Sequence, residues 1–159
     1  LGAYVEEGFI CPLLAQIARE LPRSLPGIFP AEPLTHLWAY KYDSTLSGIG
    51  VHGDFAAVNV NFWITPDEAN LAPGRGGLVV WDKEAPADWD FETYNKNVPR
   101  IEGFLRETAA KPVTVPYRQN RAVIFNSDLF HKTDQLRFRP GYENRRINIT
   151  MLFGNRGGK

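Results

Sequence analysis

Cysteine is almost missing from this chain of 159 residues: Cys11 is the only one. A single thiol closes no intramolecular disulfide, so the default compartment is a reducing one, the cytoplasm. Net charge is missing as well. Eighteen Lys and Arg balance eighteen Asp and Glu, and without a basic excess nucleic acid is a poor partner. No apolar run is long enough for a membrane-spanning helix, and the N-terminus has no basic-then-apolar leader pattern. The first residue is Leu1 rather than Met, which leaves room for further domains upstream. Histidine is scarce, with three in all, so any pattern among the three is informative. The length fits one domain, which buries roughly 68–70% of the surface its unfolded chain exposes.

Two kinds of periodicity follow one another along the chain. Val5, Phe9, Leu13, Leu14, Ile17 and Leu21 recur at three- and four-residue steps, which predicts a helix that starts near Cys11 or kinks at Pro12. Pro22, Pro26, Gly27 and Pro30 mark a loop. From Leu34 the pattern turns to strands: 35–42, 57–64, 78–81, 113–116, 121–125 and 146–153, rich in β-branched and aromatic residues. Between them, residues 82–112 place Trp89, Phe91, Tyr94, Ile101, Phe104 and Leu105 among charges, an excursion from the sheet. Residues 1–33 therefore read as a helical flank and 34–159 as a β domain. Roughly eight short strands after one helix predict a mainly β fold, a jelly-roll or cupin-like barrel (a double-stranded β-helix) with the N-terminal helix packed on it.

The chemistry concentrates at His52, Asp54 and His131. Residues two apart on a strand point the same way, so His52 and Asp54 of the stretch Val-His-Gly-Asp would project together. His131 follows an apolar strand and a turn at Asn126-Ser127-Asp128. Two imidazoles and a carboxylate form the facial triad of non-haem Fe(II) oxygenases, with coordination positions left open. The third histidine, His36, has no carboxylate beside it and reads as structural or exposed.

Arg146 is the discriminating residue. On its strand Arg146, Asn148, Thr150 and Leu152 share one face, and Ile147, Ile149, Met151 and Phe153 the other. A buried guanidinium needs a partner. A dicarboxylate would supply one, gripped by the Arg fork with Thr150 as a further donor; the alternative is a salt bridge to Glu143 or an aspartate. Arg145 reads as solvent-facing. Asn59, Asn61 and Trp63 also share a face, and mid-strand asparagines are unusual. They either line a wet pocket that hydrogen-bonds a co-substrate or face solvent, and Trp63 on the same face favours the pocket.

These residues resemble the Fe(II)- and 2-oxoglutarate-dependent dioxygenases, nearest the prolyl 4-hydroxylase-like branch. The likeness runs from about Trp38 to Phe153, through Tyr42, His52-Gly53-Asp54, Gly76-Gly77-Leu78, Arg121 to Phe125, His131 and Arg146. It implies that His52, Asp54 and His131 hold Fe(II) and that Arg146 binds the distal carboxylate of 2-oxoglutarate. Tyr42, more than Tyr40, would line the co-substrate site. It also implies that O2 is consumed as 2-oxoglutarate becomes succinate and CO2 and a small-molecule or peptide substrate is oxidised. Two departures stand out. The His131–Arg146 spacing is long, so the segment through Phe138 to Gly141 must be a loop. Where many relatives have a second tyrosine, this chain has Asn61 or Trp63. Similar C-terminal regions occur in bacterial proteins with tetratricopeptide repeats, which are not in this chain. Residues 82–112 read as a lid or substrate wall, or as a plain packing flap. The rival readings are a cupin-type metalloenzyme without 2-oxoglutarate, which would leave Arg146 without a purpose, and a non-catalytic barrel that binds.

Overall fold

A computed structural model describes residues 1–29, 33–43 and 45–157; Pro30, the last of the expected loop markers, lies outside them. The described chain is mainly β. Its strands are β1 (Gly2–Tyr4), β2 (Leu34–Tyr42), β3 (Val58–Trp63), β4 (Leu78–Glu84), β5 (Pro112–Val115), β6 (Ala122–Asn126), β7 (Leu129–Thr133) and β8 (Arg146–Phe153). They form two antiparallel sheets. One has the order β1-β2-β8-β3-β6 and the other β5-β4-β7.

Of the two helical readings the start near Cys11 holds, and the residues before it are not α-helical: Gly2–Tyr4 pairs with β2, Ala3 opposite Ala39. Helix α1 (Pro12–Ser24) then begins with Pro12 in its first turn, where a missing N–H costs nothing. It runs through Pro22 to Ser24, so Pro22 sits in the last helical turn rather than in a loop. Leu14 is buried and Ile17, Ala18 and Leu21 pack beside it; Leu13, on the other side, is 62% exposed.

Alternation in β3 and β8 explains the sandwich. Val58, Val60, Ile149, Met151 and Phe153 project from one face of the five-stranded sheet and form a core with Leu14 and Phe29. This core lies between the sheet and α1. The opposite face carries Arg146, Asn148 and Thr150 on β8. They stand opposite Tyr42, Tyr40 and Trp38 of β2, while Asn148 and Thr150 also stand opposite Trp63 and Asn61 of β3. The expected faces of these strands are all observed.

The excursion begins after Glu84, three residues later than the apolar run suggests. It holds a π-turn (Glu92–Lys96), closed by the Asn97 N–H on the Glu92 carbonyl at 3.1 Å, and helix α2 (Val98–Glu107). The Asn97 side chain caps α2 by accepting from the Arg100 N–H at 3.2 Å. Tyr94, Ile101 and Leu105 form a second core with Val51, Ala85 and Phe130. Arg156 fastens this segment from the far end of the chain. It donates to the carbonyls of Ala85, Pro86 and Trp89 at 2.7–3.1 Å and pairs with Asp128 at 2.8 Å. Among the described residues, no helix is long and apolar enough to cross a membrane.

Candidate metal centre

His52, Asp54 and His131 converge as expected, although neither histidine sits where the sequence placed it. His52 lies in no continuous strand. It makes a single antiparallel bridge with His131, each N–H donating to the other's carbonyl at 2.9 Å. His131 is inside β7, because Ser127 and Asp128 make a tight turn that returns the chain as a strand. The bridge sets the imidazole centroids 4.3 Å apart. Asp54 Oδ1 lies 3.7 Å from His52 Nε2, and Asp54 Oδ2 lies 3.4 Å from His131 Nε2. Ligands at right angles about an ion ~2.1 Å away are about 3 Å apart, so these separations suit one ion. Among the described residues this is the one such cluster.

Each ligand is aimed by a neighbour. His52 Nδ1 meets the Gly50 carbonyl at 2.8 Å, and His131 Nδ1 meets the Leu129 carbonyl at 3.0 Å. A carbonyl only accepts, so Nδ1 of each ring is the donor there, and Nε2 is the ring atom left facing the centre. Burial, helped by the neighbouring His131, lowers the His52 pKa to about 4 against the pull of Asp54 and the Gly50 carbonyl. Burial pushes the Asp54 carboxyl up, but the hydrogen bond and charge of His131, the charge of His52 and the Asn59 amide outweigh it and hold it below the usual range. A neutral imidazole and an ionised carboxylate are the forms a metal requires.

The asparagines of β3 divide into two roles. Asn59 is fully buried and donates to Asp54 Oδ2 at 2.7 Å. Asn61 donates to Asn59 Oδ1 at 2.6 Å and lines the cavity beside the metal cluster. The expectation that Asn59 touches a co-substrate is thus corrected: its amide is spent on Asp54, and it does not line the cavity. Trp63 does not line the cavity either. Its Nε1 donates to Asn148 Oδ1 at 2.8 Å, and its ring stacks on Tyr117 at 5.4 Å.

That cavity, ≈ 240 Å³, also reaches Arg146. Arg146 is 1% exposed. Its Nε donates to the Gly76 carbonyl at 2.8 Å and Nη2 to the Gly77 carbonyl at 3.4 Å, while Nη1 has no partner. Neither Glu143 nor an aspartate pairs with it; Asp134 is occupied by Arg75 at 2.8 Å and by the Gly76 N–H at 3.1 Å. The rings of Tyr42, Trp63 and Tyr117 surround the guanidinium at 5.4–5.9 Å. Burial lowers its pKa to about 10, and the phenols of Tyr42 and Tyr117 and the Asp134 carboxylate oppose that fall. Gly77 is required here. A Cβ would collide with the Val115 carbonyl, the Trp63 ring and the Tyr117 backbone. Arg145, by contrast, pairs with Asp43 at 2.9 Å at a partly exposed edge.

Tyr42, Thr150 and Asn148 line the cavity, and so does Tyr40, which the sequence ranked below Tyr42. Thr150 accepts from the Asn148 amide at 2.8 Å. The sequence missed Trp38, Phe55 and Asn95, whose spacing carries no motif, as lining residues. His36 is exposed and packs against Phe55 at 4.7 Å, away from the metal cluster.

No protein-family model matches the chain, and no curated protein matches it. Solved structures do. The crystal structure of EvdMO1 aligns with a TM-score of 0.57 at 18% identity, over 95% of this chain and 32% of that one. AviO1 from Streptomyces viridochromogenes Tue57 aligns with a TM-score of 0.54 at 16% identity, over 86% of this chain and 57% of that one. Identities this low establish likeness of fold alone. This chain spans about a third of the length of EvdMO1 and somewhat over half that of AviO1.

Proposed function

We propose that this chain is an Fe(II)- and 2-oxoglutarate-dependent oxygenase, a hydroxylase acting in the cytoplasm on a small molecule or peptide. The observation that carries the reading is the orphaned Nη1 of Arg146, in a cavity that also holds a His–Asp–His cluster. A buried cation with an unused donor is costly, and a carboxylate between it and the metal would relieve that cost. Strand order supports the double-stranded β-helix reading: the His52 bridge adds a fourth position beside β7, opposite the β2-β8-β3-β6 sheet.

His52, Asp54 and His131 would hold the iron and leave positions open for the co-substrate and O2. Bound iron and 2-oxoglutarate would supply O2 activation, coupled to decarboxylation to succinate. The protein's own part is placement. Arg146 receives the distal carboxylate through Nη1, and the Gly76 and Gly77 carbonyls fix the guanidinium plane. Tyr42 and Thr150 offer hydroxyls beside it. Asn59 keeps one Asp54 oxygen engaged and so orients the other. The excursion closes the metal loop from above: the Gly53 N–H donates to the Tyr94 carbonyl, and the Asn95 side chain donates to the Gly53 carbonyl, both at 2.8 Å.

Anaerobic titration with Fe(II) and then 2-oxoglutarate tests the reading. A visible charge-transfer band that needs both additions, and that Arg146→Ala loses, is the expected result. Iron binding without the band would favour a metalloenzyme that does not use 2-oxoglutarate. No metal binding would overturn the assignment.

A further inference from the structure

The mouth of the cavity differs from its depth. Among the described residues, the side chains with a fixed charge that line it are Asp54 and Arg146, and the proposed metal and co-substrate use both. The rest of the lining carries no fixed charge, and much of it is aromatic. Trp38, Tyr40, Phe55 and Phe91 line the cavity. Phe55 meets Phe91 at 5.9 Å, and Phe91 meets Tyr94 at 5.7 Å. Phe91 is 39% exposed although it lines the site. Lys96, whose ammonium lies 5.3 Å from the Phe91 ring, is already paired with Glu92 at 2.7 Å. Asn95 lines the cavity and gives its Nδ2 to Gly53, which leaves its Oδ1 as an acceptor.

We infer that the substrate is an uncharged, planar-ring molecule with an N–H or O–H donor, seated on Phe55 and Phe91 with its donor on Asn95 Oδ1. The inference rests on the function proposed above. A charged reacting group would leave water for a wall with no counter-charge, whereas a ring gains edge or face contacts with aromatic neighbours. The same geometry links substrate to metal, since Asn95 also holds the loop between His52 and Asp54.

Fluorine NMR with fluoroindole tests this, set against its charged relatives fluoroindole acetate and fluorotryptamine and against N-methylfluoroindole, which lacks the donor. Mn(II) and 2-oxoglutarate are present. Fluoroindole is expected to bind at least roughly tenfold more tightly than either charged probe and more tightly than the N-methyl form. Phe91→Ala, at a partly exposed position that leaves the cores intact, should weaken it roughly tenfold. Phe91→Lys should turn the preference toward the acetate. Equal or tighter binding of a charged probe, or indifference to Phe91, overturns the inference. Paramagnetic broadening of bound fluoroindole, lost in Asp54→Ala, places the probe beside the metal. Neutral preference without broadening in the unaltered protein would overturn the metal reading and leave the ring site standing. Broadening and 2-oxoglutarate binding without neutral preference would do the reverse.

Discussion

The two faces of the five-stranded sheet share their strands and almost nothing else. On one, Val58, Val60, Ile149, Met151 and Phe153 pack with Leu14 and Phe29 into an apolar core. On the other, Asn59, Asn61, Arg146, Asn148 and Thr150 are buried too, but their polar atoms are joined in short hydrogen bonds or, at Arg146 Nη1, left without a partner. Alternate residues of β8 therefore serve opposite ends. One set supplies the burial that holds the fold, and the next set holds polar groups that a stability-driven sequence would replace with apolar ones. Burial by itself does not mark a residue as structural; its satisfied or unsatisfied valence does.

Substitutions can break this contrast. The largest effect should come at the metal cluster: Asp54→Ala is expected to abolish tight metal binding, read by calorimetry, while leaving the far-UV spectrum unchanged. On the apolar face, Phe153→Ala should cost about 3–5 kcal/mol in denaturant unfolding yet leave metal affinity in the surviving folded protein within a few-fold. Acid should separate the faces next. His52 has a folded pKa near 4 against 6.5, so the unfolded chain binds the extra proton between those values. Metal-free stability is then complete above pH 6.5 and falls as pH drops toward 4, by on the order of 3 kcal/mol. Asp54, also depressed, adds a loss at still lower pH. His52→Gln should flatten the first window, and an unchanged slope would show that the imidazole titrates freely. Asn59→Ala should weaken metal binding about 10–100-fold, with Asn59→Asp failing to restore it because a second carboxylate cannot donate to Asp54. The smallest change is the most pointed. Arg146→Met should leave stability nearly unaltered or raised while removing protection by 2-oxoglutarate in thermal melts. A large destabilisation there would mean that the guanidinium serves the fold after all.

Much of this arrangement was legible in the sequence. Strict alternation in β3 and β8 is a local property, and it gave the faces of both strands correctly. The spacing of His52, Asp54, His131 and Arg146 found the cluster and the buried cation. Three things were not legible, the first two because they depend on contacts distant in sequence. β1 pairs with residues some 36 positions away. The His52–His131 bridge creates a strand position out of one residue. Asn59 looked like a pocket residue because its side of β3 is the pocket side, but depth decides between touching a ligand and touching the residue that holds one. The excursion showed as a break in the strand pattern; its grip on Gly53 had no signature at all.

The place of β8 has a consequence for synthesis on the ribosome. It is the last of the eight strands to be made, yet it lies between β2 and β3, which do not pair with each other. Until it emerges, the larger sheet exists as two unjoined edges, although His52, Asp54 and His131 have already been translated. The strand that closes the sheet also delivers Arg146, and the residues just after it deliver Arg156, the fastening of the excursion. A nascent chain thus acquires its buried guanidinium in the same step in which the sheet closes, so a half-made copy has no completed cavity.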